Sequence, residues 1–153
     1  MRGPSIQTCL WFDDSAEQAA TLYCSLFPDA AITTVFRQGA APDAKAFMLE
    51  FSLMGQSYAA SNGGPHYTLT PAASIVAHVD LQAEVDRLWH ALLADGGTES
   101  RCGWLTDRYG LSRQIIPRAL PRLLQADKTG KVMQAMLAMV KIDLAGLEAA
   151  ARG

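Results

Sequence analysis

The residues best suited to chemistry sit in and around Cys102-Gly103-Trp104-Leu105-Thr106-Asp107-Arg108-Tyr109-Gly110-Leu111-Ser112-Arg113-Gln114-Ile115-Ile116-Pro117. Trp104, Leu105 and Tyr109 are strand formers, Asp107 and Gly110 are turn residues, and Pro117 stops a second strand. Gln114 therefore falls within an apolar strand. A buried primary amide needs hydrogen-bond partners, which either a ligand or a neighbouring side chain can supply. The second candidate is Asn62-Gly63-Gly64-Pro65-His66. Its glycines let a ligand approach the main chain, Asn62 offers an amide, and His66 is placed to gate or to shuttle a proton. The same segment also reads as a conformationally demanding turn. Trp11 and Trp104 suit either an aromatic wall for a flat ligand or the core. Cys102 has no base near it in sequence, and no triad, P-loop or dinucleotide fingerprint is present.

These groups must be positioned by a chain of 153 residues, half of them hydrophobic and 18% charged. That is enough for one domain with a sizeable core. A formal charge of −2 gives no attraction to nucleic acid. Cys9, Cys24 and Cys102 show no CxxC spacing, which points to a reducing compartment, hence the cytoplasm, and away from a disulfide framework. The amino terminus lacks signal-peptide grammar, and no apolar run nears the roughly 20 residues of a membrane span.

In order, Gln7–Phe12 reads as a strand and Asp14-Ser15-Ala16-Glu17 as a capping box. A helix follows on Ala16, Ala19, Ala20, Tyr23 and Phe27, closed by Pro28. Strands are expected over Ile32–Arg37, Ala46–Leu53 and Gln56–Asn62, the last two joined by a Met54-Gly55 turn. The second half repeats this grammar. Ser74–Val79 is a strand, and Asp80 caps a helix bearing Leu81, Val85, Leu88 and Leu92. Strands near Thr98–Arg101, Trp104–Tyr109 and Ser112–Ile116 follow. From Arg118 the chain reads as helical, with Val132, Met133, Met136, Leu137 and Val140 in one stripe and Asp143 capping a last helix.

Two βαβββ units, with Cys9-Leu-Trp-Phe-Asp13, Asn62-Gly-Gly-Pro-His66, Cys102-Gly-Trp-Leu-Thr-Asp-Arg-Tyr-Gly110 and Gln114-Ile-Ile-Pro117, resemble the vicinal-oxygen-chelate superfamily. That superfamily includes glyoxalase I, bleomycin-resistance proteins and extradiol dioxygenases. The closer likeness is to its PhnB-like, 3-demethylubiquinone methyltransferase-like branch, and Val132-Met-Gln-Ala-Met136 and Lys141-Ile-Asp143 resemble it too. Arg113 departs from the branch, which carries Trp there. The resemblance implies an α+β fold: curved mixed sheets from module 1 (about 5–66) and module 2 (about 72–117) around a cup, plus a helical tail (about 118–153). It also implies a homodimer. Metal-using relatives place ligands at positions that register here to Gln7, Tyr58, Ser74 and Gln114.

Two amides, a phenol and a hydroxyl are poor ligands for a divalent ion. Strand alternation offers Cys9, Glu50 and His78 as substitutes on the same inner face. As purely structural groups, Cys9 is a small core hydrophobe, Glu50 a solvated carboxylate and His78 a hydrogen-bonded core histidine. The expectation is a small-molecule binder that uses neither metal nor cofactor, with Gln7, Trp11, Tyr58, Asn62, Ser74, Trp104 and Gln114 lining its site. The alternative is a glyoxalase/lyase- or transferase-like enzyme acting on a small metabolite, with His78, Glu50 or His66 as base.

Overall fold

The computed structural model describes residues 2–153. The chain forms two compact units, one ending at Leu69 and one running from Thr70 to Gly153.

The first unit runs β1 (Thr8–Phe12), α1 (Ala16–Ser25), β2 (Ala30–Arg37), β3 (Ala46–Leu53), β4 (Gln56–Asn62). Its strands lie in the order β1-β4-β3-β2, with β1 parallel to β4 and the other pairs antiparallel. The β3–β4 register is set by a two-residue turn in which Met54 (φ 49°) and Gly55 (φ 86°) both adopt left-handed conformations, as the tightest hairpins require. Leu49, Phe51 and Leu53 alternate along β3 and are buried with Ala16, Ala19, Ala20 and Tyr23 of α1. Three alanines on that helix let it approach the sheet closely, while Phe51 fills the gap between Tyr23 and Tyr58.

The expected capping box at Asp14–Glu17 does not form. Ser15 is the cap residue, with no side-chain cap bond. The Asn62 Oδ1 instead accepts from the Ala16 N–H at 2.8 Å, and Glu17 turns to Arg37 in a two-pronged ion pair at 2.7 and 3.1 Å. A carboxamide from the end of β4 thus does locally what the sequence assigned to Asp14.

The second unit repeats the pattern as β5 (Ser74–Val79), α2 (Gln82–Leu93), β6 (Thr98–Glu99), β7 (Trp104–Thr106), β8 (Ser112–Pro117), in sheet order β5-β8-β7-β6. Val85, Leu88, Trp89 and Leu92 are the buried face of α2. Leu81, expected on that face, is the cap residue and is exposed; Asp80 pairs with Arg118 at 3.0 Å rather than capping. The strand expected over Trp104–Tyr109 ends at Thr106. Beyond it the Asp107 Oδ1 accepts from the N–H groups of Tyr109 and Leu111, which bends the chain into the turn at Gly110. The other Asp107 oxygen lies 3.5 Å from Nε of Arg113, and both side chains are buried.

Three helices close this unit: α3 (Ala119–Ala126), α4 (Lys131–Leu137) and α5 (Leu144–Arg152). They pack with Ile116 of β8 in a cluster of Leu120, Val132, Ile142 and Leu147. The N–H groups of Cys102 and Gly103 donate to the carbonyls of Met139 and Val140 at 2.9 and 2.8 Å. Gln82 at the start of α2 donates to the Ile142 carbonyl and accepts from the Leu144 N–H. Asp143 makes no side-chain cap bond, so Gln82 supplies what was expected of it. The apolar stripe is divided: Val132 is buried, whereas Met133, Leu137 and Val140 are exposed. Among the described residues no helix is long and apolar enough to cross a membrane.

Candidate functional site

Each sheet has a face turned away from the helix that follows its first strand, and cross-strand register shows which side chains occupy it. In the first unit Leu49 and Phe51 face α1, so Met48, Glu50 and Ser52 face the other way. Paired residues share a face. The open face therefore carries three rows: Trp11, Ser61, Met48 and Phe36; Cys9, Ala59, Glu50 and Thr34; and Ser57 with Ser52. Gln7, two residues before Cys9, reaches the last two rows. Its Nε2 donates to Oε2 of Glu50 and to Oγ of Ser57, each at 3.1 Å.

Trp11 is fixed from two sides. Its indole N–H donates to the Gly64 carbonyl at 2.9 Å, and Tyr67 meets the ring edge-on, centroids 4.9 Å apart. Gly63 lies directly beneath: a Cβ there would fall 2.1 Å from Trp11 Cζ2. Gly64, at φ 85°, takes the left-handed turn that glycine allows. The Asn62-Gly63-Gly64 segment is thus a seat for Trp11. The Asn62 amide is engaged at both ends, accepting from Ala16 and donating to the Ala46 carbonyl at 2.9 Å. His66 is exposed just beyond.

Tyr58 stands apart from the other residues singled out in this unit. It pairs with Phe51 and stacks on it, centroids 5.2 Å apart, on the α1 side of the sheet. The tight turn allows no other outcome, because residues equidistant from Met54-Gly55 must face each other. Counting outward from that turn sets Ser57 and Ala59, not Tyr58, on the open face. Ser57 is an open-face residue missed from the sequence, and this count would have found it.

In the second unit the same parity rule applies. Ile75, Leu105, Arg113 and Ile115 face α2. Ser74, Val76, His78, Trp104, Thr106, Ser112, Gln114 and Ile116 lie on the opposite face. Gln114 is directly opposite Trp104, and its Nε2 donates to Oγ of Ser74 at 3.0 Å. A row of hydroxyls, Ser74, Ser112, Thr106 and Thr98, runs across the sheet beside it. The Ser112 Oγ is buried without a hydrogen-bond partner among the described residues. His78 lies two positions beyond Val76 on β5 and is exposed.

The resemblance in sequence registers Gln7, Tyr58, Ser74 and Gln114 to ligand positions, and none of the four is an imidazole or a carboxylate. Neutral amides and hydroxyls do not displace water from a divalent ion, and Tyr58 is on the wrong face to contribute. No group of three or more His, Cys, Asp or Glu among the described residues is arranged to hold a metal ion. The donor set does not fit a divalent cation. What the two faces offer is neutral hydrogen bonding beside Trp11 and Trp104, and one carboxylate, Glu50.

Residues 4–116 match the family model described as 3-demethylubiquinone-9 3-methyltransferase. No curated protein matches the chain. Among solved structures, the PhnB protein from Bacillus cereus is 29% identical with a TM-score of 0.67, over 74% of this chain and 99% of its own. A protein from Pseudomonas aeruginosa shares 21% identity with a TM-score of 0.63, over 75% of this chain and 98% of its own. The fosfomycin resistance protein FosX from Mesorhizobium loti shares the fold at 15% identity, TM-score 0.56, over 82% of this chain and 99% of its own. The family match stops at β8, so α3–α5 lie outside it. Paired βαβββ units and the match over residues 4–116 together assign the chain to the PhnB-like 3-demethylubiquinone-9 3-methyltransferase family.

Proposed function

We propose that this protein binds a small organic molecule, without a metal ion, on the open faces of its sheets. The observation that carries the reading is Gln114. Its carboxamide lies on the sheet face turned away from α2 and donates to Ser74, which leaves its Oε1 to accept from a bound molecule. The hydroxyl row beside Gln114 and the Trp104 ring opposite it suit a ligand with an oxygen function on a flat or apolar body. Ser74, Trp104 and Gln114 are the binding residues of the second sheet in this reading, and Gln7 and Trp11 those of the first, each face taken by itself. Asn62 serves by seating Trp11 and capping α1, and Tyr58 by packing.

The test is a thermal-shift screen of metabolites on purified protein, repeated with Gln114→Ala. A ligand that raises the melting temperature of the parent should lose about tenfold or more in affinity in the variant, as expected for one or two lost hydrogen bonds. Equal shifts in both proteins would remove Gln114 from the site.

A second reading, an enzyme with a carboxylate base, is favoured by the Gln7 hydrogen bond that orients Glu50 on an open sheet face. His66 and His78, both exposed, are the other bases it would draw on. Transfer of a methyl group, as the family description has it, is not part of either reading. The strand-to-helix turns at residues 13–15, 80–81 and 118 contain no glycine, so a glycine-rich turn for a nucleoside-bearing methyl donor is missing. We read the protein further as a cytoplasmic homodimer, consistent with three cysteines that form no disulfide. Sedimentation analysis should give twice the chain mass.

A further inference from the structure

We infer that the open face of the first sheet binds an organic cation, a primary amine carried on an aromatic or apolar body, with Glu50 as its counter-ion. The inference deepens the small-molecule reading and rests on it. The residues up to Leu69 hold six carboxylates against three Lys and Arg residues. Of those cations, Arg37 is committed to Glu17 on the α1 side of the sheet. Glu50 has no cationic partner among the described residues; its side chain receives only the neutral amide of Gln7, on Oε2. That amide fixes the carboxylate's direction and leaves its charge uncompensated, with Oε1 open. A half-buried carboxylate held in one orientation by a neutral donor is arranged to accept a charged N–H from outside.

The neighbouring row supplies the rest of the ligand. Met48 lies two residues from Glu50 on the same strand, about 7 Å away by strand geometry. It is flanked in register by Phe36 on one side and by Ser61 and Trp11 on the other. Phe36 is 40% exposed, so the row presents an apolar surface that α1 does not cover. A thioether beside the Phe36 ring accepts a flat hydrophobic body, and the ring's face also favours a nearby cation. The spacing between rows suits an ammonium about two or three bonds from a ring, the geometry of an arylalkylamine.

The experiment uses matched probes on the full chain: 2-phenylethylamine and tryptamine, their alcohol counterparts 2-phenylethanol and tryptophol, and the corresponding carboxylic acids. Binding is followed by calorimetry. The amines should bind, the alcohols at least tenfold more weakly and the acids not at all. Glu50→Gln should cost the amines tenfold or more and leave the alcohols unchanged, while Met48→Ala weakens amines and alcohols alike. Circular dichroism confirms that each variant folds. Equal affinity for amine and alcohol, undiminished amine binding by Glu50→Gln, or failure of every amine to bind would each overturn the assignment. In those cases a Gln114-dependent ligand from the metabolite screen would leave the broader reading standing.

Discussion

Gly63 and Trp11 make the tightest local dependency near either open face. Because a Cβ at position 63 would lie 2.1 Å from the indole, Gly63→Ala must expel the ring from its seat or move the strand end. The expected cost is about 1–3 kcal/mol, as for other overpacked sites, together with a red shift of Trp emission as Trp11 loses its contacts. An unchanged spectrum and melting temperature would show that the seat is not rigid. Arg113 illustrates the opposite case, a charge accepted into the interior. Its guanidinium lies beside Asp107, and both are buried under α2. Arg113→Ala should destabilise the protein by about 3–5 kcal/mol in urea denaturation, because Asp107 would keep a buried charge without its partner.

At the scale of elements, the strands and the two main helices could be read from alternation and helical spacing, and β3, β4 and β5 have the expected limits. Capping was misjudged at all three expected helix starts. Asp14 and Asp80 stand one residue before the cap positions Ser15 and Leu81, Asp143 is at its cap position, and no side-chain cap bond forms at any of them. Asn62 and Gln82 take the work at two of them from 46 and 62 residues away, and local spacing carries no trace of such partners. The face of Tyr58, by contrast, was legible through the Met54-Gly55 turn.

The tail also gains meaning only from packing. The hydrogen bond from Lys141 holds the Asp86 carboxyl below the usual carboxylate range, with Gln82 adding to the effect. A carboxyl depressed by folding contributes stability that is complete above its unfolded value, near pH 4. That contribution fades as pH falls through the folded value. Acid titration of the melting temperature should therefore show a smaller loss below about pH 4 in Asp86→Asn than in the parent. Removing residues 128–153 should do more than loosen an appendage. It strips the cover from Ile116 and Leu120 and orphans the N–H groups of Cys102 and Gly103. The truncated chain is expected to lose cooperative unfolding by circular dichroism; a sharp transition near the parent's would show that α4 and α5 are dispensable.

For the whole molecule, duplication of a βαβββ unit yields two sheets of the same strand order, each leaving one face free of its crossover helix. The two faces are not alike in chemistry. The first pairs a carboxylate with an aromatic and sulfur row; the second sets an amide and hydroxyls beside a tryptophan. Among the described residues neither gathers three His, Cys, Asp or Glu side chains that could hold a metal ion, and on this the metal-free proposal turns. The most direct test is to measure the affinity of a screened ligand for the parent and for Gln114→Ala, before and after exhaustive chelation, with metal content determined on the same samples. The account predicts an affinity untouched by chelation, negligible bound metal, and a loss of about tenfold in the variant. Binding that vanishes with the chelator and returns with one equivalent of zinc, nickel or manganese would contradict it.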